Sequence, residues 1–337
     1  MDLAMKLSYP AGGTNLPIVV VMHGFSQAVA DFNTPAFKRF ARYGAFCAFV
    51  EMRGRGSSDG TPDVSAREIY DIVDAITYIT TNYAGIVDAD NINLVGYSGG
   101  GGNAYAVAAK FPDLFNTITA FFGISDYGHD VTDGWYQNGA TAGSKTSLET
   151  WIGDNPTNAP KSYHARAHIL GVTNYTGGYL WIFHDDQDTS VPIVNTTNVT
   201  DALDAAALTN YADSITTVAS NPRWTHSLPI AGAAVIRAET TFMPVIVAGT
   251  HPAWTIAASG NVAVIGYIVT KRFTIWLRAT GSSTYGLDAG ATVAYNTATD
   301  TYTVTPLTTG GIDVTITQGA KTGSATNITA ETAVVVA

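Results

Sequence analysis

The sequence predicts an α/β fold with a mostly parallel, doubly wound sheet, followed by a smaller all-β segment. Short apolar runs alternate with helical patterns over most of the chain, and the remainder contains only strand-like runs separated by turn residues. Apolar residues make up 46% of the 337 residues, which is enough for a large buried core. A chain of this length is expected to form two domains, or one large domain with an appendage.

The first segment alternates predicted strands with predicted helices. Its strand-like runs are short, β-branched or aromatic, and bounded by polar or Gly-containing turns: 18–22, 45–52, 92–95, 117–122 and 179–183. Between them, residues 67–80 place Ile and Val at helical spacing, and the Ala-rich run 103–110 ends before Pro112. This alternation indicates βαβ units around a parallel sheet, whose functional loops follow the carboxyl ends of the strands.

The last part of the chain has a different pattern. Thr-, Val- and Tyr-rich runs at 273–277, 292–295, 301–305 and 312–317 are separated by Gly, Asn and Asp, which predicts a small β-sandwich. Residues 296–300 are expected to form a hairpin turn. The C-terminal segment (residues 254–337) carries four basic and four acidic residues, so the first 253 residues carry 13 basic and 23 acidic ones. We therefore expect two domains, 1–253 and 254–337.

Composition argues against several classes of partner. The net charge of −10, without a Lys/Arg-rich stretch, makes nucleic acid or an anionic membrane a poor partner. No apolar run reaches the roughly 18 residues of a membrane span, and no signal peptide is visible, which leaves the compartment unassigned, with an extracellular or virion-associated location open. The single cysteine, Cys47, excludes internal disulfides and a Cys-rich zinc site, and its apolar surroundings predict a buried thiol.

The stretch 91–102, NINLVGYSGGGG, carries the strongest chemical signal. An apolar strand runs into Gly96-Tyr97-Ser98-Gly99-Gly100, and a helical pattern follows, which is the context of a G-x-S-x-G nucleophile elbow. A strand that turns abruptly into a helix needs small neighbours, and the helix N-terminus directs backbone N–H groups at the reacting carbonyl. A Gly-rich turn of purely structural purpose is the alternative, and Ser98 is the predicted nucleophile.

Five motifs, in one order, resemble the α/β-hydrolases, and within them the prolyl-oligopeptidase and dienelactone-hydrolase branch. They are His23-Gly24 after a strand, RGRGSSDG at 53–60, GYSGGGGNAYAVAAKFPDLF at 96–115, GISDY at 123–127 and HDDQDTSVP at 184–192. The resemblance covers about the first 250 residues. Two features differ: the sequence has no β-propeller ahead of the hydrolase, and the sandwich-like C-terminal segment is foreign to that branch.

The resemblance also implies an oxyanion hole. In this fold, one N–H comes from the loop after the strand at 18–22 and the other from the residue after the nucleophile. In this sequence those donors are Phe25 and Gly99. The adjacent His23 is more typical of a loop-bracing histidine than of a catalytic base.

The triad order Ser, Asp, His restricts the choice of acid. The resemblance places the acid at Asp188, after the strand at 179–183. Asp185 and Asp186 share its loop and are interpreted as solvated or structural, and Asp126 is the alternative at the end of the preceding strand. A cation held by the three loop aspartates is a further alternative, although the spacing is not that of a calcium loop.

Two histidines compete for the role of base. His226 follows a predicted strand at 215–219 and precedes a predicted helix at 231–243, and it lies 38 residues beyond Asp188. His251 follows the apolar run 243–248, and is the alternative. His226 fits the family's spacing better. The remaining candidates precede the acid and fall outside the chain order: His129, His164 and His168.

Two other regions are expected to be mainly structural. The Gly-rich run 53–60 is interpreted as a loop braced by arginine hydrogen bonds, with binding of a substrate carboxylate as the alternative. The aromatic residues between Tyr127 and Trp181 fall where this fold often carries a helical insertion over the site. Most are expected in the core, and some are expected to line an acyl or sugar pocket: Trp135, Tyr136, Trp151, Tyr163 and Tyr175.

These features predict a carboxylic-ester hydrolase that works through an acyl-enzyme without a metal or organic cofactor. Esters are the easier acyl substrates, and a downstream β-sandwich suggests esters on carbohydrate, with the C-terminal segment binding a polymer or mediating assembly. A serine peptidase of prolyl-oligopeptidase type is the second reading. The third is a structural or adhesive protein that carries a degenerate hydrolase.

Overall fold

The computed structural model describes residues 1–31, 34–216, 226 and 233–337. A seven-stranded sheet in the order β1-β3-β2-β4-β5-β6-β7 lies at its centre, with β1 antiparallel to β3 and all other neighbours parallel. Its strands are β1 (Met5–Ser8), β2 (Leu16–Met22), β3 (Phe46–Val50), β4 (Val87–Tyr97), β5 (Thr117–Phe121), β6 (Tyr179–Asp185) and β7 (Tyr211–Thr216).

Helices cover both faces of this sheet. They are α1 (Thr34–Arg42), α2 (Glu68–Asn82), α3 (Gly99–Lys110), α4 (Trp135–Asn138), α5 (Ala142–Ile152), α6 (Pro160–His164), α7 (Val194–Ala205) and α8 (Ala233–Val247). Strand β2 shows why the sequence of a central strand is apolar throughout: Ile18 and Val20 pack on the α2/α3 side, whereas Val19 and Val21 pack on the side of α1 and α8. The predicted α/β-hydrolase architecture is confirmed.

The C-terminal segment forms one antiparallel eight-stranded sheet in the order β14-β13-β10-β9-β8-β11-β12-β15. Its strands are β8 (Ser259–Ile265), β9 (Tyr267–Val269), β10 (Thr274–Ala279), β11 (Gly290–Asn296), β12 (Thr301–Pro306), β13 (Ile312–Gln318), β14 (Lys321–Ile328) and β15 (Thr332–Val335). Alternate side chains face a single apolar core. The Thr322 N–H, in β14, donates to the carbonyl of Ala337, just after β15, at 3.3 Å, so the two edges of the sheet meet. The predicted β-sandwich-like architecture and its hairpin between Tyr295 and Tyr302 are confirmed.

Three local predictions differ from the structure. Strand β1 was not predicted, because four residues of mixed polarity give no clear alternation. Strand β7 lies at Tyr211–Thr216, four residues earlier than the predicted start, and the end of the predicted run lies outside the described residues. The helix predicted at 231–243 extends further, through Pro244 to Val247, so the apolar run 243–248 is mostly the end of α8. In the described part of the chain, no helix is long and apolar enough to cross a membrane.

Candidate active site

Ser98 lies on the sharp turn between β4 and α3. Its backbone has φ 57° and ψ −118°, a conformation that L-residues rarely adopt outside sites where the surrounding structure imposes it. The turn is tight enough that a Cβ on Gly96 would lie 1.9 Å from the carbonyl oxygen of Gly100. The Ser98 N–H donates to the Phe121 carbonyl at 3.0 Å, which ties the turn to β5. The serine hydroxyl therefore stands at the carboxyl edge of the sheet.

The structure brings Ser98, His226 and Asp188 into one hydrogen-bonded chain. His226 Nε2 lies 2.7 Å from Ser98 Oγ, and His226 Nδ1 lies 2.5 Å from Asp188 Oδ2. With its proton on Nδ1, the imidazole donates to the carboxylate and accepts from the serine hydroxyl, which is the arrangement required to activate a nucleophile. The Phe122 ring packs against the imidazole, with ring centroids 4.6 Å apart.

The Asp188 carboxylate is buried and held from several directions. Its Oδ1 accepts the N–H groups of Ser190 and Val191 at 2.8 and 3.0 Å. His184 Nε2 lies 3.5 Å from Oδ2 and donates to the Val191 carbonyl at 2.9 Å. Burial alone would raise the pKa of Asp188, but the hydrogen bonds from His184 and His226 hold this pKa well below its usual range. The carboxylate therefore stays ionised beside the imidazole.

The two predicted oxyanion donors lie side by side. A Cβ built on Gly99 would lie 2.5 Å from the Phe25 nitrogen, so this close approach requires glycine at position 99. Gly99 is the first residue of α3, and its N–H has no partner within the helix. Within the described residues, the Phe25 N–H donates to no other group of the protein. Both donors are thus available to a ligand next to Ser98.

Aromatic side chains and one arginine surround the Phe25 side of the site. The Phe25 ring lies 5.1 Å from both the Trp135 and the Trp151 rings, which belong to the helices inserted between β5 and β6. Arg55 donates from Nη2 to the Phe25 carbonyl at 2.6 Å and lies over the Trp151 ring at 4.0 Å. Arg53, by contrast, forms a two-pronged ion pair with Asp71. Both arginines of the 53–60 run therefore brace loops.

The alternative candidates lie elsewhere or have other partners. His251 stacks on Tyr179 at the amino end of β6, the opposite edge of the sheet from Ser98. Asp126 accepts the backbone N–H groups of residues 128, 129 and 130 and caps its own loop. His23 is fully buried, and its Nε2 accepts from the Met52 N–H at 3.2 Å.

The remaining loop aspartates and histidines do not join the triad either. Asp185 accepts the N–H of Gln187 at 2.9 Å, and Asp186 accepts from the Gln187 side chain at 2.7 Å. His129 and His164 pack edge to face against each other. Among the described residues, no group of three or more His, Cys, Asp or Glu side chains is arranged to hold a metal ion.

Two contacts of the site were not identified from the sequence. His184 precedes Asp188 by four residues in the motif HDDQDTSVP, and that spacing was the available signal for its contact with the carboxylate. Phe122 carries no comparable signal, because it is one of several aromatic residues at the end of β5. Its backbone has a positive φ of 39°, which local sequence preference does not predict for phenylalanine.

A doubly wound sheet with a serine on the turn after its central strand defines an α/β-hydrolase. The protein is therefore in the class of serine hydrolases. Residues 1–226 match the family model described as X-Pro dipeptidyl-peptidase (S15 family). The chain belongs to this family. No curated protein matches it.

Solved structures share the fold at low sequence identity. The acylaminoacyl peptidase of Pyrococcus horikoshii is 18% identical with a TM-score of 0.58, and the match covers 73% of this chain and 39% of that one. Dipeptidyl peptidase 4 of Porphyromonas gingivalis is also 18% identical with a TM-score of 0.58, over 73% of this chain and 33% of that one. Est1E of Butyrivibrio proteoclasticus, solved with ferulic acid bound, is 18% identical with a TM-score of 0.54, over 73% of this chain and 96% of that one. This chain therefore spans well under half the length of the two peptidases.

Proposed function

We propose that the protein hydrolyses carboxylic esters, with Ser98 as nucleophile, His226 as base and Asp188 as the acid that orients the base. The observation that carries this proposal is the continuous hydrogen-bonded chain from Ser98 Oγ through the imidazole to a buried, ionised carboxylate. A nucleophile, a base within hydrogen-bond reach and a third group that orients the base are the parts that acyl transfer requires.

The proposed reaction has two steps. As Ser98 Oγ attacks the ester carbonyl carbon, its proton passes to His226 Nε2, and the negative charge on the carbonyl oxygen is stabilised by the N–H groups of Phe25 and Gly99. The C–O bond to the alcohol then breaks, and the alcohol leaves with the proton from His226. Water, deprotonated by His226, attacks the acyl-enzyme and releases the acid and free Ser98.

The charges beside the site support an ester over an X-Pro dipeptide. A dipeptidyl peptidase must bind the protonated amino terminus of its substrate, which calls for an exposed carboxylate near the nucleophile. Arg55, which contacts Phe25, is half-exposed, whereas the nearby Glu68 carboxyl group is buried. Burial raises the pKa of Glu68 to about 7, which weakens it as a partner for an amine. A neutral or anionic acyl group suits these charges better.

The aromatic residues narrow the substrate further. Phe25 and Trp151 are half-buried, so their rings can pack against a flat acyl group or a sugar ring. Est1E was solved with ferulic acid, an aromatic acid, which makes aroyl esters a rational choice of test substrate. We therefore propose acetyl or aroyl esters on carbohydrate as substrates, with the C-terminal segment holding the enzyme on a polymer or in an assembly.

Single-residue variants test the proposed site. Ser98→Ala is expected to abolish hydrolysis of p-nitrophenyl acetate and labelling by a fluorophosphonate, and Asp188→Asn is expected to lower kcat by about 10⁴-fold, because the imidazole loses its orienting carboxylate. His226→Ala should match Ser98→Ala, whereas His251→Ala should leave kcat unchanged. Normal hydrolysis by His226→Ala, with loss in His251→Ala, would contradict the assignment.

Two other functions remain to be compared in the same assay. Cleavage of an X-Pro dipeptide is favoured by the family model, and it predicts faster turnover of Ala-Pro-p-nitroanilide than of any p-nitrophenyl ester. A non-catalytic, adhesive role predicts that Ser98 is not labelled by the fluorophosphonate at all. Either result would replace the proposed ester hydrolysis.

A further inference from the structure

Arg55 contacts the backbone of the residue that supplies one oxyanion donor. Its Nη2 donates to the Phe25 carbonyl at 2.6 Å, while its guanidinium lies 4.0 Å from the centre of the Trp151 ring. We propose that Arg55 is a positioning residue: by holding the Phe25 carbonyl it fixes residue 25 so that its N–H points at the developing oxyanion. This inference rests on the proposed function, since it concerns the rate of the same acyl transfer.

Phe25 is held on both sides, and Arg55 supplies the bond on its carbonyl side. The Gln27 N–H closes a turn onto the Gly24 carbonyl at 3.1 Å, and the Gln27 side chain accepts the Gly24 N–H at 3.0 Å. The Gly24 carbonyl, which also accepts from His23 Nδ1 at 2.9 Å, shares its peptide group with the Phe25 N–H, so these bonds orient the amino side of Phe25. The bond from Arg55 holds the next peptide group, which carries the Phe25 carbonyl. A displacement of about 1 Å at a catalytic group is enough to cost roughly 100-fold in rate. A small displacement of Phe25 would therefore lower the rate strongly, and the bond from Arg55 restrains this residue.

Arg55 is itself held firmly enough to position another group. Its N–H donates to the Met52 carbonyl at 3.1 Å, and its carbonyl accepts the Ser58 N–H at 2.8 Å. The Glu51 carboxylate accepts the N–H groups of Val29 and Ser57 at 2.9 and 2.7 Å, which joins the loop of Phe25 to the loop of Arg55. The two loops thus form one unit, and Arg55 is the side chain of that unit that reaches the oxyanion residue.

The arginine side chain suits this position better than lysine. A planar guanidinium stacks on an indole ring and donates in its own plane at the same time, whereas an ammonium group on a flexible stem does neither with fixed geometry. The Phe25 ring packs against the same Trp151 ring, 5.1 Å between centroids. Trp151 therefore supports both members of the contact, the donor and the residue it holds.

The test compares Arg55→Met and Arg55→Gln with the wild type. Both variants are expected to lower kcat for p-nitrophenyl acetate by about 10- to 100-fold with KM within about threefold, because the loss is confined to the transition state. The affinity for a methyl trifluoromethyl ketone, whose adduct with Ser98 carries an oxyanion, should fall by the same factor. Arg55→Lys should recover part of the rate. Lys145→Met, which removes a cation that lies over Tyr136, is the control and should keep wild-type values.

The outcomes separate this inference from the proposed function. Wild-type kcat and ketone affinity in either folded variant, judged by circular dichroism, overturn the positioning role. A rise in KM confined to an ester with a carboxylate-bearing acyl group, such as a hemisuccinate, also overturns it and makes Arg55 a substrate-binding residue. A wild-type protein that neither hydrolyses esters or amides nor binds the ketone overturns the proposed function, and the positioning role falls with it.

Discussion

Gly99 shows at the scale of one residue how the site depends on close backbone approach. Its Cα faces the Phe25 backbone, and an added Cβ would lie 2.5 Å from the Phe25 nitrogen and 2.7 Å from the Phe25 Cα. Backbone atoms cannot move aside as a flexible side chain can. The methyl group would therefore push apart the backbones of the two proposed oxyanion donors.

Gly99→Ala is expected to lower kcat by about 100- to 1,000-fold, the usual cost of losing one oxyanion donor. The helix itself should not suffer, because Ala is the better helix former by about 1 kcal/mol. Steady-state kinetics together with thermal unfolding separates the two effects. Gly85→Ala is the matched control, since a Cβ at Gly85 would meet nothing within 4 Å. Wild-type kcat in Gly99→Ala would mean that residue 25 does not serve the oxyanion.

The sequence predicted the residues that meet at this site, and the family's spacing favoured His226 over His251 as the base. His226 follows a predicted strand, and His251 follows an apolar run, 243–248, whose secondary structure the sequence left open. The run before His251 is the end of α8, where Met243 and Ile246 pack under the sheet, and its composition alone did not separate a buried helix from a buried strand. Only the topology brings His226 to the carboxyl edge and His251 to the opposite one. The catalytic roles themselves stay a prediction.

At the scale of elements, the turn before α2 is the feature that sequence reasoning did not foresee. The helix was predicted at 67–80 and lies at Glu68–Asn82. Immediately before it, Val64 and Ser65 adopt φ values of 59° and 58°, which is unusual for a β-branched residue followed by another non-glycine. The Glu68 carboxylate accepts the Ser65 N–H at 2.6 Å and so stabilises this turn from within the protein. Such a turn follows from tertiary contacts and not from local preference.

The buried Glu68 makes the stability of this element depend on pH. Burial raises the pKa of Glu68 from near 4.5 to about 7 in the folded state. Between these values the folded protein keeps a proton that the unfolded chain loses, so the contribution of Glu68 is fully present below about pH 4.5 and is lost as the pH rises through 7. The unfolding free energy of the wild type should therefore fall over this window by at most about 1.4 kcal/mol per pH unit from this group.

Glu68→Gln should abolish that fall, since the amide keeps an oxygen for the Ser65 N–H but does not ionise. Urea unfolding from pH 4.5 to 8 measures the difference between variant and wild type, which is expected to grow in favour of the variant with rising pH. Glu331→Gln, at an exposed position, is the control. Parallel curves for Glu68→Gln and wild type would show that Glu68 ionises normally.

At the scale of the whole molecule, the C-terminal segment is packed into the rest of the chain. Tyr267 is fully buried, belongs to the core beside α2 and α3, and donates from its hydroxyl to the Ala66 carbonyl at 2.9 Å. The Asn174 side chain bonds the backbone of residue 263 at both its N–H and its carbonyl. Part of the uncharged surface of this segment is thus buried against the hydrolase. A surface that binds a partner is therefore not the only explanation for the low charge. The domain boundary near residue 254 stays a prediction.

A chain that ends at Ala253 is expected to lose cooperative folding. Removal of residues 254–337 would expose Tyr70, in the first turn of α2, and Phe111. In the full chain, Tyr267 packs against both rings and Trp276 packs against Tyr70. Near-ultraviolet circular dichroism and thermal unfolding of the shortened and full chains provide the comparison. An unchanged unfolding temperature in the shortened chain would show that the C-terminal segment is an independent accessory domain.

Lys110 lies at this junction, and none of the carboxylates that the structure describes forms an ion pair with it. It is fully buried at the end of α3 and donates to the carbonyls of Ala165 and Ile265, the latter in β8. Its ammonium nitrogen lies 4.7 Å from the centre of the Tyr267 ring. Burial, with a smaller effect from the charge of Arg166, lowers the pKa of Lys110 to about 7. The unfolded chain, with an ordinary lysine, keeps the proton up to about pH 10.5.

The contact between the two segments should consequently strengthen as the pH rises from 7 toward 10. In this window the unfolded state binds one proton more than the folded state, so Lys110 raises the unfolding free energy by at most about 1.4 kcal/mol per pH unit. Below pH 7 both states are protonated, and Lys110 causes no change of the unfolding free energy with pH. Lys110→Met leaves two buried carbonyls without a donor, a cost of about 1–3 kcal/mol each that does not vary with pH. The measurement is therefore the difference in unfolding free energy between wild type and Lys110→Met, followed as a function of pH. Lys38→Met, at an exposed position, is the control. A difference that stays constant from pH 7 to 10 would mean that Lys110 is charged in the folded protein throughout.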